Sequence, residues 1–166
     1  AMVRFAAENP EIKVIIKAKG RRKESDDVTR ILNEIQDLPK NLRIMVGGDP
    51  FEMIAKSGAF FVFNTTARIE ALAAGKAVIV PWFAEAMENK MQPYIVDLGE
   101  AVEYADTPDS LVRRLRYYID HPRPVTAELN QEVSGILEKW AGNPDGLAGQ
   151  RVREALLKEL GAVKPL

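Results

Sequence analysis

Four polar residues in one short stretch have the types and the spacing to hold a phosphorylated, ribose-bearing ligand. Asn64, Thr65 and Thr66 follow a short apolar run, and Glu70 comes four residues after Thr66. The first backbone N–H groups of a helix are unpaired and carry the positive end of the peptide dipoles, so an anion bound there is stabilised. The threonine hydroxyls would add donors for a phosphate, and the carboxylate could accept hydrogen bonds from the two ribose hydroxyls.

The same residues also have explanations that need no ligand. Threonine is a preferred helix N-cap, and a glutamate on a short helix can simply face solvent. The flanking sequence favours a ligand, because an apolar run at 59–63 precedes the turn, Gly75 ends the helical segment and a β-branched run at 77–80 follows. These features together predict a strand–turn–helix–strand unit with the polar residues at its turn.

Apolar runs of strand length alternate along the chain with stretches of helical periodicity. Strands are predicted at 13–18, 42–46, 59–63, 77–80 and 101–104. Helices are predicted at 26–37, 50–57, 108–120, 126–140 and 147–160, with Thr107 and Thr126 as N-caps. Strands that alternate with helices indicate βαβ units. The predicted fold is therefore α/β, with a Rossmann-like parallel sheet flanked by helices, a helical C-terminal third and a single domain over residues 1–166.

Ligands of such sheets bind outside the carboxyl ends of the strands. Besides the turn at 64–66, this rule selects Lys17 with the basic loop at 19–23, the pair Gly47–Gly48 and the segment 81–88. The basic residues could capture phosphate or an anionic acceptor, although a solvated loop also explains them. The glycines would let a nucleobase approach the backbone, and a plain turn explains them nearly as well. The candidate substrate-binding residues are Lys17, Gly47, Gly48, Asn64, Thr65, Thr66 and Glu70.

Two residues after the strand at 77–80, and the single histidine, have simpler explanations than binding or catalysis. Trp82 and Phe83 could line a pocket, but packing in the core explains them at least as well. His121, the only histidine, precedes a proline at a predicted helix end. A role as the C-terminal cap of that helix is favoured there over a catalytic role.

Composition excludes several classes of site. Cysteine is absent, so there are no disulfides, thiol nucleophiles or thiolate metal ligands, in agreement with a reducing compartment. The net charge of −1 provides no general attraction for nucleic acid or acidic membranes. No apolar run approaches the roughly 18 residues of a membrane span, and early charged residues argue against a signal peptide. The opening Ala1-Met2 suggests a piece of a longer protein.

One stretch resembles a known family of enzymes. Asp49-Pro50-Phe51-Glu52, the strand ending in Asn64-Thr65-Thr66, and Glu70-Ala71-Leu72 followed by Gly75-Lys76 are similar to segments of capsule and surface-polysaccharide biosynthesis proteins. The similarity covers about residues 10–100 and extends to the donor-binding segment of two-domain GT-B glycosyltransferases. It implies that Thr65 and Thr66 hold the donor phosphate and that Glu70 holds the ribose.

The sequence departs from this family pattern at two places. Members often carry Lys-x-His-Pro after the first strand, and this chain has Lys17-Ala18-Lys19-Gly20, so only Lys17 can be carried over. Ala77 stands where proline is usual, which costs some loop rigidity.

The resemblance implies half of an enzyme, because a GT-B transferase has two facing domains and this chain is long enough for one. It implies the C-terminal, nucleotide-sugar-binding domain of a glycosyltransferase of polysaccharide or glycoconjugate biosynthesis. Such a domain would be cytoplasmic and would need neither metal nor cofactor. It would bind nucleotide without turnover, since the N-terminal acceptor domain is missing. Nucleic acid is not an expected partner, and any peripheral membrane association would come through the parent protein. The catalytic residues stay unassigned.

Two other functions fit a similar architecture. A non-hydrolysing sugar-nucleotide epimerase would carry a pattern like Asp-Ser-Gly-Gly with two adjacent glutamates, and Asn64-Thr65-Thr66-Ala67 lacks the glycines. A non-catalytic Rossmann-like binding module would be a domain complete in itself. A preceding domain of similar length in the parent gene would favour the transferase over this module.

Overall fold

Parallel strands and helices alternate through most of the protein. The structure is a computed structural model that describes residues 1–18, 29–30, 33–35, 37–124, 126–142 and 145–161, with backbone only at 92–94. Its helices are α1 (Met2–Glu8), α2 (Pro50–Lys56), α3 (Ala67–Ala73), α4 (Pro108–Asp120), α5 (Ala127–Ala141) and α6 (Ala148–Glu159). Its strands are β1 (Val14–Ala18), β2 (Leu42–Val46), β3 (Ala59–Phe61), β4 (Ala77–Pro81) and β5 (Glu103–Ala105). Short 3₁₀ helices cover Ala84–Met87, Asn89–Tyr94 and Gly99–Ala101.

The described strands form two parallel sheets. β1 pairs with β2, and β4 lies between β3 and β5 in the second sheet. Helices lie between and around the strands, and the C-terminal part is helical from α4 onward. The predicted α/β class, with parallel strands flanked by helices and a helical C-terminal third, is confirmed.

The central strand β4 connects two hydrophobic clusters. Val78 and Val80 pack into a cluster with Leu72 of α3, whereas Ile79 packs into a second cluster with Leu111 of α4. This alternation follows from the period of two in a strand. All four residues from Ala77 to Val80 are buried, as expected for a parallel strand covered on both faces.

Helix-capping residues set the starts of the two long C-terminal helices. The Thr107 hydroxyl accepts a hydrogen bond from Ser110 N (3.0 Å), and the Thr126 hydroxyl accepts one from Leu129 N (3.2 Å). Pro108 occupies the first helical position of α4, where its missing N–H costs nothing. Both predicted caps are therefore confirmed.

Helix α1 lies in a region for which no element is predicted. Its Phe5 and Ala6 are buried against α4 and β1. Asn41, which precedes β2, donates its side-chain amide to the carbonyls of Ala6 (2.9 Å), Asn9 (2.9 Å) and Ile12 (2.8 Å). The end of α1 is thus fixed by a residue far along the chain, which a local pattern cannot show.

Several predicted boundaries differ from the structure. Strand β3 ends at Phe61, two residues earlier than predicted, because the chain then turns toward α3. Strand β5 begins at Glu103, since Gly99–Ala101 forms a 3₁₀ helix in place of an early start. The predicted helix at 26–37 falls largely outside the described residues.

Candidate functional site

The polar turn lies at the carboxyl end of β3, as predicted. Val62 N donates to Ile79 O (3.0 Å), so contact with β4 continues one residue beyond the strand. Thr66 then has helical torsion angles (φ −59°, ψ −22°), and its carbonyl accepts from the amides of Ile69 (2.9 Å) and Glu70 (3.3 Å). The turn therefore leads directly into α3, with Glu70 in the first turn of the helix.

The two threonine hydroxyls at this turn are little used by the protein. Thr66 is exposed and makes no side-chain cap hydrogen bond. The Thr65 hydroxyl accepts only a long bond from Ala67 N (3.4 Å). Within the described part of the chain, neither hydroxyl donates a hydrogen bond, so both O–H donors are available. Helix capping alone therefore does not explain Thr66.

The Glu70 side chain is half-buried on α3. Among the described residues it makes no hydrogen bond or ion pair, in contrast to the exposed Glu52 of α2, which pairs with Lys56 (2.5 Å). The Glu70 carboxylate thus keeps its full capacity to accept hydrogen bonds. A simple solvated face of the helix does not describe this position, because the side chain is partly withdrawn from water.

The structure brings Lys17 and the glycine pair together at the carboxyl edge of the other sheet. Lys17 stands opposite Met45, and Ala18 opposite Val46, the residue before Gly47. Gly47 (φ +76°) and Gly48 (φ +79°) both adopt the left-handed conformation that favours glycine. A Cβ atom at Gly47 would meet nothing within 4 Å, so the backbone there has open space beside it.

The candidate residues thus form two groups, each at the carboxyl end of its own sheet. One group is Lys17 with Gly47 and Gly48, and the other is Asn64, Thr65, Thr66 and Glu70. The two sheets share a hydrophobic cluster, in which Val14 of β1 and Ile79 of β4 both take part. The predicted basic loop at 19–23 lies outside the described residues.

Trp82 and Phe83, which follow β4, pack against the protein, whereas most residues of 84–90 are exposed. The Trp82 ring meets the Tyr104 ring edge to face, with centroids 5.5 Å apart, and Phe83 packs against the second cluster. Glu88 forms an ion pair with Lys90 (2.7 Å), and this carboxylate raises the pKa of the Lys90 ammonium. Of the two roles considered for Trp82 and Phe83, the structure shows packing.

His121 is the C-cap residue of α4, as expected. Its backbone N–H donates to Tyr117 O (2.8 Å), and its ring stacks on the Tyr117 ring with centroids 4.7 Å apart.

A further charged residue at the turn, Arg68, was not among the predicted site residues. It is buried (5% exposed), its Nη1 donates to Phe63 O (3.3 Å), and its Nε has no hydrogen-bond partner among the residues that the structure describes. Burial lowers the pKa of the Arg68 guanidinium. A sequence signal for this burial exists, because Arg68 shares one face of α3 with Ala71 and Leu72, three and four residues on.

The two described cavities lie away from these residues. One, of about 180 Å³, lies beside Ala77 at the amino end of β4 and is lined by Glu103, Tyr118 and Arg123 among others. The second, of about 220 Å³, lies between the Gly99 region and Trp140 of α5. Neither of these two cavities is lined by a candidate residue.

Within the part of the chain that the structure describes, no helix has the length and apolar character needed to cross a membrane. The same residues include no cluster of three or more histidine, aspartate or glutamate side chains that could hold a metal ion. Comparison of the chain with protein families, with curated protein sequences and with solved structures gave no match.

Proposed function

We propose that this chain is the donor-binding domain of a glycosyltransferase that takes its sugar from a nucleotide. The observation that carries the proposal is the β3–α3 turn. There, two threonine hydroxyls with available donors and a half-buried glutamate with no described partner lie at the carboxyl end of a parallel strand. Ligands of parallel α/β sheets bind at such ends. The resemblance of the same segment to polysaccharide biosynthesis proteins supports the choice of ligand.

Each candidate residue has a defined part in this proposal. The hydroxyls of Thr65 and Thr66 donate to the donor phosphate, beside the exposed Asn64. The Glu70 carboxylate accepts hydrogen bonds from the ribose hydroxyls. Donors fixed in place around a phosphate also stabilise the negative charge that develops as the sugar leaves.

The residues of the other sheet serve the remaining parts of the same ligand. Gly47 and Gly48 offer an uncrowded backbone for the nucleobase, and Lys17, in the adjacent strand, offers a positive charge.

The proposed parent enzyme works in the cytoplasm on polysaccharides or glycoconjugates, and its acceptor binds to a second, N-terminal domain. This chain therefore binds nucleotide and nucleotide sugar but does not transfer the sugar by itself. Transfer by residues 1–166 alone would contradict the half-enzyme part of the proposal.

The experiment is a calorimetric titration with UDP, CMP, GDP and ADP and with the matching nucleosides. We expect at least one nucleotide to bind more tightly than its nucleoside. Glu70→Gln should weaken the binding of the nucleotide and of its nucleoside by about tenfold or more, because a hydrogen bond to a charged group contributes roughly 1.5–3 kcal/mol. The midpoint of thermal unfolding should stay unchanged.

Glu154→Gln on α6 is the matched control, since this exposed carboxylate accepts a hydrogen bond from Gln150 (2.8 Å) of its own helix. It should bind every nucleotide like the wild type. Equal nucleotide affinities of the wild type and Glu70→Gln would show that Glu70 does not bind the ribose. No binding of any nucleotide would remove the proposed function itself.

A further inference from the structure

Arg68 is a buried positive charge without a described counter-ion. The residue is 5% exposed, and among the described residues its side chain makes one hydrogen bond, from Nη1 to the neutral carbonyl of Phe63 (3.3 Å). The Nε donor has no partner within the same part of the chain. Arg114, Arg116 and Arg151, by contrast, each pair with at least one carboxylate.

This arrangement is costly for the protein on its own. A guanidinium has five N–H donors and no acceptor, and it stays protonated in proteins. Burial of an unpaired charge is unfavourable, which is why buried charges are normally paired. Glu70 lies two residues away on the same helix, and residues at that spacing do not face each other, so Glu70 is not a counter-ion of Arg68.

The position of the guanidinium connects this missing counter-ion to the polar turn. Phe63, whose carbonyl receives the Arg68 bond, immediately precedes Asn64, Thr65 and Thr66. The positive charge therefore lies directly behind the turn, on its core side. A charge in a poorly solvated place is weakly screened, and its field reaches the turn more strongly than that of an exposed lysine would.

We propose that Arg68 is the charge that selects an anion at the β3–α3 turn, and that a bound phosphoryl group is its missing counter-ion. The Thr65 and Thr66 hydroxyls would contact the anion from the solvent side, and Arg68 would stabilise its charge from the core side. The identification of that anion as a nucleotide phosphate rests on the function proposed above. The need of Arg68 for an anion does not.

The test uses inorganic pyrophosphate, UDP, CMP, GDP, ADP and the four nucleosides as probes of wild type, Arg68→Met and Arg68→Lys. Methionine keeps an unbranched side chain and removes the charge. We expect Arg68→Met to lose about tenfold or more in affinity for pyrophosphate and nucleotides, and none for nucleosides. Its unfolding midpoint without ligand should be equal or higher, because replacement of an uncompensated buried charge by an apolar side chain is often stabilising. Arg68→Lys, which keeps the charge, should retain most of the affinity.

Arg123→Met is the control. Arg123 is also partly buried, its pKa is also lowered by burial, and its Nη1 also donates to a backbone carbonyl, that of Lys76 (3.4 Å). It lines the cavity at the amino end of β4, away from the turn. This variant should bind pyrophosphate like the wild type.

The outcomes separate the two proposals. Wild-type affinity of Arg68→Met for pyrophosphate and nucleotides would overturn the role of Arg68, even where nucleotides bind and the proposed function stands. Pyrophosphate binding that depends on Arg68, together with no binding of any nucleoside and no gain in affinity from a nucleoside part, would support the proposed role of Arg68. The same result would contradict the nucleotide-sugar function. A wild-type protein that binds no pyrophosphate would overturn the role of Arg68. If Arg68→Met does not fold, the test depends on Arg68→Lys. Pyrophosphate affinity of folded Arg68→Lys that is reduced no more than that of Arg123→Met would support the role of the charge. Complete loss of pyrophosphate binding in Arg68→Lys would overturn it.

Discussion

Several charged residues of the described helices form ion pairs with neighbours, and the two charged residues beside the β3–α3 turn differ from these. Arg116, for example, contacts both Glu11 (2.7 Å) and Asp120 (2.9 Å). Within the described part of the chain, Arg68 and Glu70 have no charged partner, although both are withdrawn from water to some degree. Polar groups that a protein buries without partners are candidates for contact with a ligand.

Two threonines at helix starts should respond differently to the same substitution. Thr107→Ala removes the bond from Ser110 N and should lower the free energy of unfolding by about 1 kcal/mol. Thr66→Ala removes no cap bond, and we expect a change within about 0.5 kcal/mol. Thr66→Ala should instead lower the affinity for nucleotides more than the affinity for nucleosides. Urea denaturation and calorimetry measure the two effects, and a stability loss in Thr66→Ala equal to that in Thr107→Ala would assign both residues to capping.

Most residues of the candidate site could be predicted from the sequence, but their contacts and burial could not. Asn64, Thr65, Thr66 and Glu70 are recognisable because polar residues at a strand end interrupt an apolar pattern. Arg68 was missed because an arginine beside polar residues suggests exposure, and only its helical phase with Ala71 and Leu72 indicates burial.

At the scale of elements, local signals predicted β1, β2, β4 and the three C-terminal helices to within one residue, and the short strands β3 and β5 less closely. The bounds of α4 agree with the prediction, because Thr107 and Pro108 mark its start and Leu111 and Leu115 form its buried face. The strands β3 and β5 are only three residues long, so a shift of one or two residues is a large part of each. Helix α1 depends on the distant Asn41, and no local pattern contains that information.

The loop before α6 should carry a pH-dependent contribution to stability. Arg151 pairs with Asp145, and this bond, with a second from Leu147 N (2.9 Å), lowers the pKa of Asp145 from 3.8 to about 2. Because the pKa is lower in the folded state, the contribution is present above pH 4 and is lost as the pH falls toward 2.

Arg151→Met tests this contribution. The pKa of Asp145, followed by NMR titration, should rise part of the way back to 3.8, since the Leu147 bond remains. The unfolding midpoint of the variant should be lower than that of wild type at pH 6, and most of the difference should be lost by pH 2. Arg153→Met, an exposed arginine of the same helix, is the control. A difference that persists unchanged at pH 2 would assign the effect to packing of the arginine.

At the scale of the whole molecule, the two hydrophobic clusters lie on opposite faces of the β3–β4–β5 sheet. The first contains α2 and α3 residues and is contacted by Val133 and Ile136 of α5. The second contains residues of α1 and α4 and extends to β1 and β2. Helix α6 contributes no buried residue to either cluster. The parts that position the turn are therefore β3, β4 and α3, and α6 is peripheral to them.

Val78 and Val80 of β4 belong to one cluster and Ile79 belongs to the other, so both clusters depend on this strand. We therefore expect that neither cluster opens independently of the other. Disruption of either one removes support from the strand on which the other depends. The amide protons of β4 should therefore exchange with solvent only through global unfolding, at one shared free energy, whereas those of α6 exchange through local fraying. Hydrogen exchange at increasing denaturant measures this, and an early, separate opening of β4 would show that the clusters are independent. If β4 exchanges only through global unfolding, the β3–α3 turn, which is joined to β4 through Val62, rests on the part of the protein that opens last.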